Sequence, residues 1–212
     1  MGILTMITPA PDLGLLSVAE LRAAVGLAVD DDSRDADLTV LGLEVAGRIA
    51  SFCGVAPAGN APTTLREEVV EEVWRLGRPV ASLVLSRRFV SAVESATVGG
   101  VSADTDLLEL DGPAGLLSRL DSGDRYCRWP CGVKLTVRYR AGFSTVPDDL
   151  KAAGKDLLRL MDSGAGRDPL LRARQVDGVG RDEFQIASGM VMDGGLPKDI
   201  ADRLSRFATV AI

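Results

Sequence analysis

The segment 133–140 alternates apolar and polar residues without a break. Val133, Leu135, Val137 and Tyr139 occupy every second position, and the positions between them carry Lys, Thr or Arg. Because successive side chains of a strand point to opposite faces of a sheet, this alternation predicts a strand with one buried and one solvated face. It is the clearest strand in the chain, and it favours an antiparallel sheet in the region around it.

The region 80–146 surrounding this strand consists of short apolar segments separated by turn residues. The separators are Gly99-Gly100, Asp111-Gly112-Pro113 and Ser122-Gly123-Asp124. Gly, Pro, Asp and Ser favour tight turns for different stereochemical reasons, and their regular placement between apolar segments is typical of hairpins. We therefore predict that residues 80–146 form a small antiparallel β meander.

Two helices are predicted before this region. Ser17-Val18-Ala19-Glu20 is a capping box, in which a Ser side chain and a Glu three residues later satisfy each other's backbone amides, so a helix is expected over about 18–25. A second amphipathic helix is expected over about 34–53, because apolar residues recur every three or four positions from Leu38 to Phe52. The aspartates of 30–35 lie where the helix dipole favours negative charge.

Two more helices are predicted on either side of the β region. Thr64-Leu65-Arg66-Glu67 repeats the capping-box pattern, and a helix is expected to follow as far as Leu76. Pro147-Asp148-Asp149 is expected to open another helix.

The expected fold class is therefore α+β with a mainly helical core of about four helices. That core would comprise residues 15–79 and 147–163, with 80–146 as an antiparallel β insertion and 1–14 as a flexible leader.

Residues 164–212 are predicted to form an extended C-terminal docking arm with a short terminal helix. Their many glycines disfavour an independent core, yet the segment carries separated apolar clusters. A helix of about eleven residues is marginal alone and needs a surface for its apolar stripe. We expect the following residues to dock on another molecule: Arg167, Leu170, Leu171, Arg172, Arg174, Phe184, Ile186, Leu196, Ile200, Leu204 and Phe207.

Histidine is absent from the 212 residues, and this excludes several classes of enzyme. Ser-His-Asp and Cys-His nucleophile pairs and histidine-dependent zinc sites are all ruled out. The chain has 24 Lys and Arg against 30 Asp and Glu, a net charge of −6, so it does not attract phosphate across its whole surface. No segment approaches the ~20 apolar residues that a membrane span needs.

Candidate metal sites fail on their spacing, and no cofactor is expected. A calcium loop counted from Asp31 has Ala36 in place of the required Gly and Gly42 in place of the bidentate Glu. Cys127 and Cys131 are separated by three residues and have no second cysteine pair, so a zinc site is not expected.

Two alternative functions are weighed against a purely structural role. A small nucleic-acid-binding module would use Arg87, Arg88, Arg138 and Arg140. Alternation along a strand explains the same arginines as a solvated face. A carboxylate-based hydrolase would use Glu67, Glu68, Glu71 and Glu72, or the aspartates of 30–35. A solvated helix face is the preferred interpretation of these glutamates, because no neighbouring residue in the sequence suggests a perturbed pKa.

Several motifs occur in a characteristic order along residues 15–163. They are Leu15 to Leu21 followed by the aspartates of 30–35, Leu85-Ser86-Arg87 with Phe89-Val90, Leu116 to Leu120, Trp129-Pro130, Val137 to Phe143, and Val146 to Ala153. In this order the chain resembles the head–tail connector (adaptor) proteins of long-tailed bacteriophages and related gene transfer agents. Arg167 to Leu170 and Gly195-Leu196-Pro197 are similar to the tails of such connectors.

The resemblance implies a structural virion protein and not an enzyme. Connectors of this kind form rings, usually dodecamers, beneath the portal, where they extend the DNA channel and offer a platform to the next neck or tail-completion protein. The resemblance assigns the ring wall to the helical core and portal contact to the C-terminal arm. We therefore expect a protein made in the host cytoplasm and located in the virion neck. DNA would pass through the ring without sequence-specific binding, and no membrane would be involved.

Overall fold

The computed structural model describes residues 2–164, 173–176, 180–183 and 192–208. Within these ranges the α-helices are α1 (Val18–Ala24), α2 (Asp35–Phe52), α3 (Asp148–Gly164) and α4 (Lys198–Leu204). Short 3-10 helices cover Thr105–Leu107 and Ser205–Phe207. None of the described helices combines the length and the apolar character that crossing a membrane requires.

The strands pair in antiparallel ladders. They are β1 (Ile3–Thr8), β2 (Glu68–Arg75), β3 (Ser82–Val84), β4 (Val90–Val98), β5 (Val101–Ser102), β6 (Leu108–Asp111), β7 (Leu116–Leu120), β8 (Tyr126–Cys127), β9 (Lys134–Ala141), β10 (Ala173–Val176), β11 (Gly180–Glu183), β12 (Met192–Asp193) and β13 (Leu196–Pro197). One sheet has the order β1-β2-β9-β4-β5, and a second has the order β3-β7-β6 with β8 also paired to β7. The pairs β10–β11 and β12–β13 are separate two-stranded ladders.

The chain divides into two compact units with different architectures. The β unit contains residues 2–15 and 54–147, and the helical unit contains 16–53 together with the described residues of 148–208. The predicted mainly helical core is therefore wrong, since helices and strands take similar shares of 31% and 30%. The β unit includes residues 2–15 and 54–79 in addition to the predicted 80–146, and its strand order makes it more complex than the meander we expected.

Strand β9 lies at the centre of the five-stranded sheet. It pairs along its whole length with β2 and on its other side with β4. Leu135, Val137 and Tyr139 are fully buried, as the alternation of 133–140 predicted. They share one hydrophobic core with Leu117 of β7 in the second sheet and with Trp129 of the segment between β8 and β9, whose indole N–H donates to the Leu117 carbonyl at 3.1 Å.

The helix predicted after Thr64 is instead strand β2. Its burial alternates with a period of two, and the inward positions are Glu68, Val70, Glu72 and Trp74. Because two of these four inward residues are acidic, the apolar residues alone do not display the strand period. The remaining apolar positions coincide with helical spacing, which explains the wrong prediction.

Residues 3–8 were predicted to lie in a flexible leader, and this is also wrong. They form β1, which pairs with β2 from Ile3 opposite Val73 to Thr8 opposite Val69. The segment Ile-Leu-Thr-Met-Ile-Thr is rich in β-branched residues and has no charge, a composition that favours a strand.

Two turns of the β unit depend on glycine. Gly99 and Gly100 have φ of 61° and 86° and join β4 to β5, as a two-residue hairpin loop with two positive φ angles requires. Gly142 has a φ of 98°, and a Cβ there would lie 2.3 Å from the Arg66 carbonyl oxygen, so only glycine fits.

The helical unit begins with the predicted capping box. The Ser17 hydroxyl accepts from the Glu20 amide at 3.3 Å, and the Glu20 carboxylate accepts from the Ser17 amide at 2.9 Å. Glu20 also accepts from Lys151 of α3 at 2.9 Å. Burial by itself raises the pKa of Glu20, but the hydrogen bonds from Ser17 and Lys151 outweigh it and lower the pKa to about 2.

Helices α1, α2 and α3 lie where the sequence predicted them. Gly42 of α2 permits close packing of α1, since a Cβ at this position would come within 3.0 Å of the Leu21 side chain. Leu38 and Ile49 of α2 and Leu150 of α3 are fully buried in the core of this unit.

Helix α4 is held by its own chain. Leu196, Ile200, Leu204 and Phe207 are all buried, and Arg203 pairs with Asp156 of α3 at 2.8 Å. The expectation that this helix needs another molecule for its apolar stripe is therefore wrong, because α3 and its surroundings supply the surface.

We predict that Leu204→Ala lowers the free energy of unfolding by about 2–5 kcal/mol, because Leu204 is fully buried. Leu43→Ala is the matched control, since Leu43 is 43% exposed on α2 and its truncation should cost under about 1 kcal/mol. Urea unfolding followed by circular dichroism measures both. Equal and small losses for the two variants would place α4 outside the core.

Candidate interaction site

The outer face of the five-stranded sheet carries a ladder of opposite charges. Arg138 of β9 contacts Glu71 of β2 at 3.1 Å, and the register places these two residues directly opposite each other. Arg140 contacts Glu94 of β4 at 3.0 Å and Glu67 at 3.6 Å. The hydrogen bond with Glu94 raises the pKa of Arg140. Both arginines thus have carboxylate partners on neighbouring strands.

The other two arginines of the predicted nucleic-acid surface lie elsewhere in the β unit. Arg87 is buried and pairs with Glu68 at 3.3 Å. Arg88 donates to the Pro113 carbonyl at 3.0 Å and stacks over the Phe89 ring at 5.2 Å. The four arginines do not converge on one exposed basic patch, so the geometry does not support phosphate binding by this set.

The ion pair of Glu68 and Arg87 is enclosed by the β unit. Only 4% and 6% of the two side chains are exposed. Burial raises the pKa of Glu68 against the opposing effect of Arg87, and it lowers the pKa of the Arg87 guanidinium. Removing one member of such a pair leaves an uncompensated charge in a medium that solvates it poorly.

Glu72 is also buried and acts as a hydrogen-bond acceptor for three donors. The Ser86 amide donates at 2.9 Å, the Ser86 hydroxyl at 2.5 Å and the Tyr139 hydroxyl at 3.0 Å. Burial raises the pKa of Tyr139, so this phenol remains a donor. The carboxylate therefore ties β2 to β9 and to the segment before β4.

The solvated-face interpretation of the four glutamates was wrong for two of them. Glu67 and Glu71 take part in the charged outer face, whereas Glu68 and Glu72 point inward. Glu72 borders an open cleft of about 420 Å³ together with Trp74 and Ser86. The raised pKa of Glu68 is the feature that a carboxylate enzyme would need, but burial accounts for it here, and the Arg87 partner opposes the rise.

The aspartates of 30–35 make local contacts, and the structure assigns no role to Cys127 and Cys131. Asp35 pairs with Arg22, and Asp31 accepts from the Ser33 amide at 3.1 Å. Cys127 and Cys131 are free thiols. Across the described part of the chain, no group of three His, Cys, Asp or Glu side chains is placed to hold a metal ion.

The predicted docking residues fall into two groups. Arg167, Leu170, Leu171, Arg172, Phe184 and Ile186 lie outside the described residues, and Arg174 belongs to β10, which is described by its backbone. Leu196, Ile200, Leu204 and Phe207 are buried in the helical unit. The second group is therefore not available as a docking surface in this conformation, which corrects the prediction for those four residues.

Sequence reasoning missed a set of exposed apolar residues at the margins of the two sheets. They are Ile3 on β1, Val84 on β3, Val101 on β5 and Tyr126 on β8, which are between 60% and 72% exposed. Apolar side chains in such positions can be covered by another molecule. For Ile3, the uncharged and β-branched composition of residues 3–8 is the available sequence signal, because such a composition favours a strand.

The fold is shared with chains from gene transfer agent particles. A chain from the neck of an empty gene transfer agent (GTA) particle, computed with C6 symmetry, has a TM-score of 0.58 at 20% identity, covering 99% of this chain and 96% of that chain. A chain from the virion of a native particle has a TM-score of 0.56 at 20% identity, with coverages of 99% and 97%.

A third chain belongs to the neck of a native particle computed with C12 symmetry, with a TM-score of 0.53, 19% identity and coverages of 99% and 96%. These likenesses confirm, at the level of the fold, the resemblance to gene transfer agent connectors that the sequence motifs predicted. No protein-family model and no curated protein sequence matches the chain.

We predict that Glu68→Gln lowers the free energy of unfolding by about 3–5 kcal/mol, because the Arg87 charge would remain buried without its partner. The double variant Glu68→Leu/Arg87→Met should be more stable than Glu68→Gln, since both charges are removed together. Glu94→Gln, at the exposed pair with Arg140, is the control and should cost under about 1 kcal/mol. Equal losses for Glu68→Gln and Glu94→Gln in urea unfolding would contradict a buried pair.

Proposed function

We propose that this chain is a structural subunit of a virion neck, a head-to-tail connector that forms a ring beneath the portal. One observation carries the proposal. The fold matches chains of gene transfer agent necks over 99% of this chain and at least 96% of theirs. The order of motifs along residues 15–163 supports the same assignment independently of the fold.

In the proposed assembly, copies of the chain form a dodecamer. Necks with C6 and C12 symmetry contain the chains that share the fold. A closed ring of identical subunits needs a heterologous contact, in which two different patches of one chain meet. Exposed apolar residues at the two opposite edges of the five-stranded sheet, Ile3 on β1 and Val101 on β5, supply separate patches of this kind.

The distribution of charge supports a channel through which DNA slides. Residues 16–53 and 148–208 contain 18 Asp and Glu against 13 Lys and Arg, a net charge of −5. The remaining residues contain 12 and 11, a net charge of −1. A ring wall formed by the helical unit would repel the phosphate backbone and would not retain the DNA.

The arm between α3 and β12 is proposed to dock outside its own subunit, on the portal or on a neighbouring copy. Its sequence carries the predicted docking residues from Arg167 to Ile186. A tail-completion or further neck protein would bind the opposite side of the ring. The role is structural, and no catalytic step is proposed.

We predict that replacing residues 165–191 by a Gly/Ser linker of equal length abolishes incorporation into particles. The helical unit should stay folded, because α4 and its contacts with α3 lie outside the replaced segment. Incorporation is measured by immunoblotting of purified particles, and we expect a loss of at least tenfold with a nearly unchanged Tm.

The matched control carries the same residues 165–191 in scrambled order, which preserves composition and length. If docking requires these residues in their native order, the scrambled variant should also lose incorporation into particles. Wild-type incorporation of the Gly/Ser variant would contradict the role of the arm.

A further inference from the structure

Strand β1 presents an open edge of the five-stranded sheet. It lies at the end of the strand order, and among the described strands it pairs only with β2. Ile3, Thr5 and Ile7 are exposed, and Ile3 is 72% exposed. The six residues contain no charge and no proline. Apart from one irregularity between Met6 and Thr8, β1 has no feature that would oppose pairing with a further strand.

The opposite edge of the same sheet is protected against pairing with a further strand by a short covering strand, by bulges and by a charge, as edges of natural proteins often are. Strand β5 covers only Thr97 and Val98 of β4. The rest of β4 has two register shifts, and between Val93 and Ser95 it carries the charged Glu94. Bulges and charges of this kind oppose pairing with a further strand. The contrast singles out β1 as the edge open to a partner strand.

The hairpin of β10 and β11 is a pair of strands that an open sheet edge could stabilise. Its strands pair with each other over four residues each. Among the described strands neither pairs with a third one. A two-stranded hairpin alone is at best marginally stable in water, and a third strand or a packing surface is needed to stabilise it.

We propose that the β10–β11 hairpin of one copy of this chain adds to the β1 edge of the next copy, which extends the five-stranded sheet across the subunit boundary. This rests on the proposed function, because a ring places identical chains side by side. The partner is a second copy, because a ring needs two different patches that meet head to tail, and the open edge and the unsupported hairpin are such a pair. Pairing of β1 with β1 of a second copy would give a two-fold dimer and would not propagate around a ring.

Main-chain hydrogen bonds provide the affinity in this mode of binding, as in other cases of strand addition. Directly opposite residues of antiparallel strands have Cα atoms about 4.5–5.5 Å apart. This spacing lies within the range that a disulfide can bridge, so engineered cysteines report the pairing directly.

The test uses the full chain in particles, in a Cys127→Ser/Cys131→Ser background that leaves only the buried Cys53. Thr5→Cys is combined in turn with a cysteine at each position of Ala173–Val176 and Gly180–Glu183. Particles are oxidised with copper phenanthroline and analysed by non-reducing electrophoresis. Val101→Cys replaces Thr5→Cys in the matched control, because Val101 is exposed, as Thr5 is, but lies on β5 at the opposite edge of the sheet.

We expect a ladder of covalent dimers, trimers and larger species for alternate hairpin positions, at least tenfold stronger than in the control. Dimers formed by Thr5→Cys alone, an intramolecular disulfide, or equal ladders with Val101→Cys would overturn the inference. Chains that are present in particles without cross-links would also overturn it while leaving the proposed function standing. Absence of the chain from particles would overturn the proposed function and this inference with it.

Discussion

The pairing of β9 with both β2 and β4 is the interaction on which the β unit depends. One face of β9 places Leu135, Val137 and Tyr139 in the core. The other face places Arg138 and Arg140 between glutamates of the two neighbouring strands. A single strand therefore joins the apolar core to the charged outer face. The buried Glu72 strengthens the same junction, since it accepts from Tyr139 across the β2–β9 ladder.

The parts of the fold that follow from local patterns could be predicted from the sequence. The capping box at Ser17 and the apolar period of α2 depend on residues that are close in sequence, and both helices were placed within one or two residues. Strand β9 was equally clear, because its inward residues are all apolar. Strand β2 was missed because Glu68 and Glu72 occupy inward positions and are stabilised by Arg87, Ser86 and Tyr139, which are distant in sequence.

The interaction site could be predicted only in part, for a similar reason. The arginines of 138 and 140 were recognised as a strand face, but their carboxylate partners belong to strands whose pairing the sequence does not reveal. The burial of Leu204 and Phe207 depends on how α4 returns to α3, which a short apolar stripe cannot indicate. The open edge of β1 becomes visible only when the strand order is known. Exposure of a sheet edge is a tertiary property, whereas strand propensity is a local one.

These features fit a protein that acts by assembly. The buried carboxylates are engaged by donors or cations of the same unit, and four of the exposed apolar residues, Ile3, Val84, Val101 and Tyr126, lie at sheet margins where another chain can cover them. The most direct measurement is an image of the particle neck at a resolution that traces polypeptide chains. We predict a closed ring of copies of this chain between the portal and the tail-side proteins. A traced neck in which this chain is absent, or is present without contacts between its copies, would contradict it.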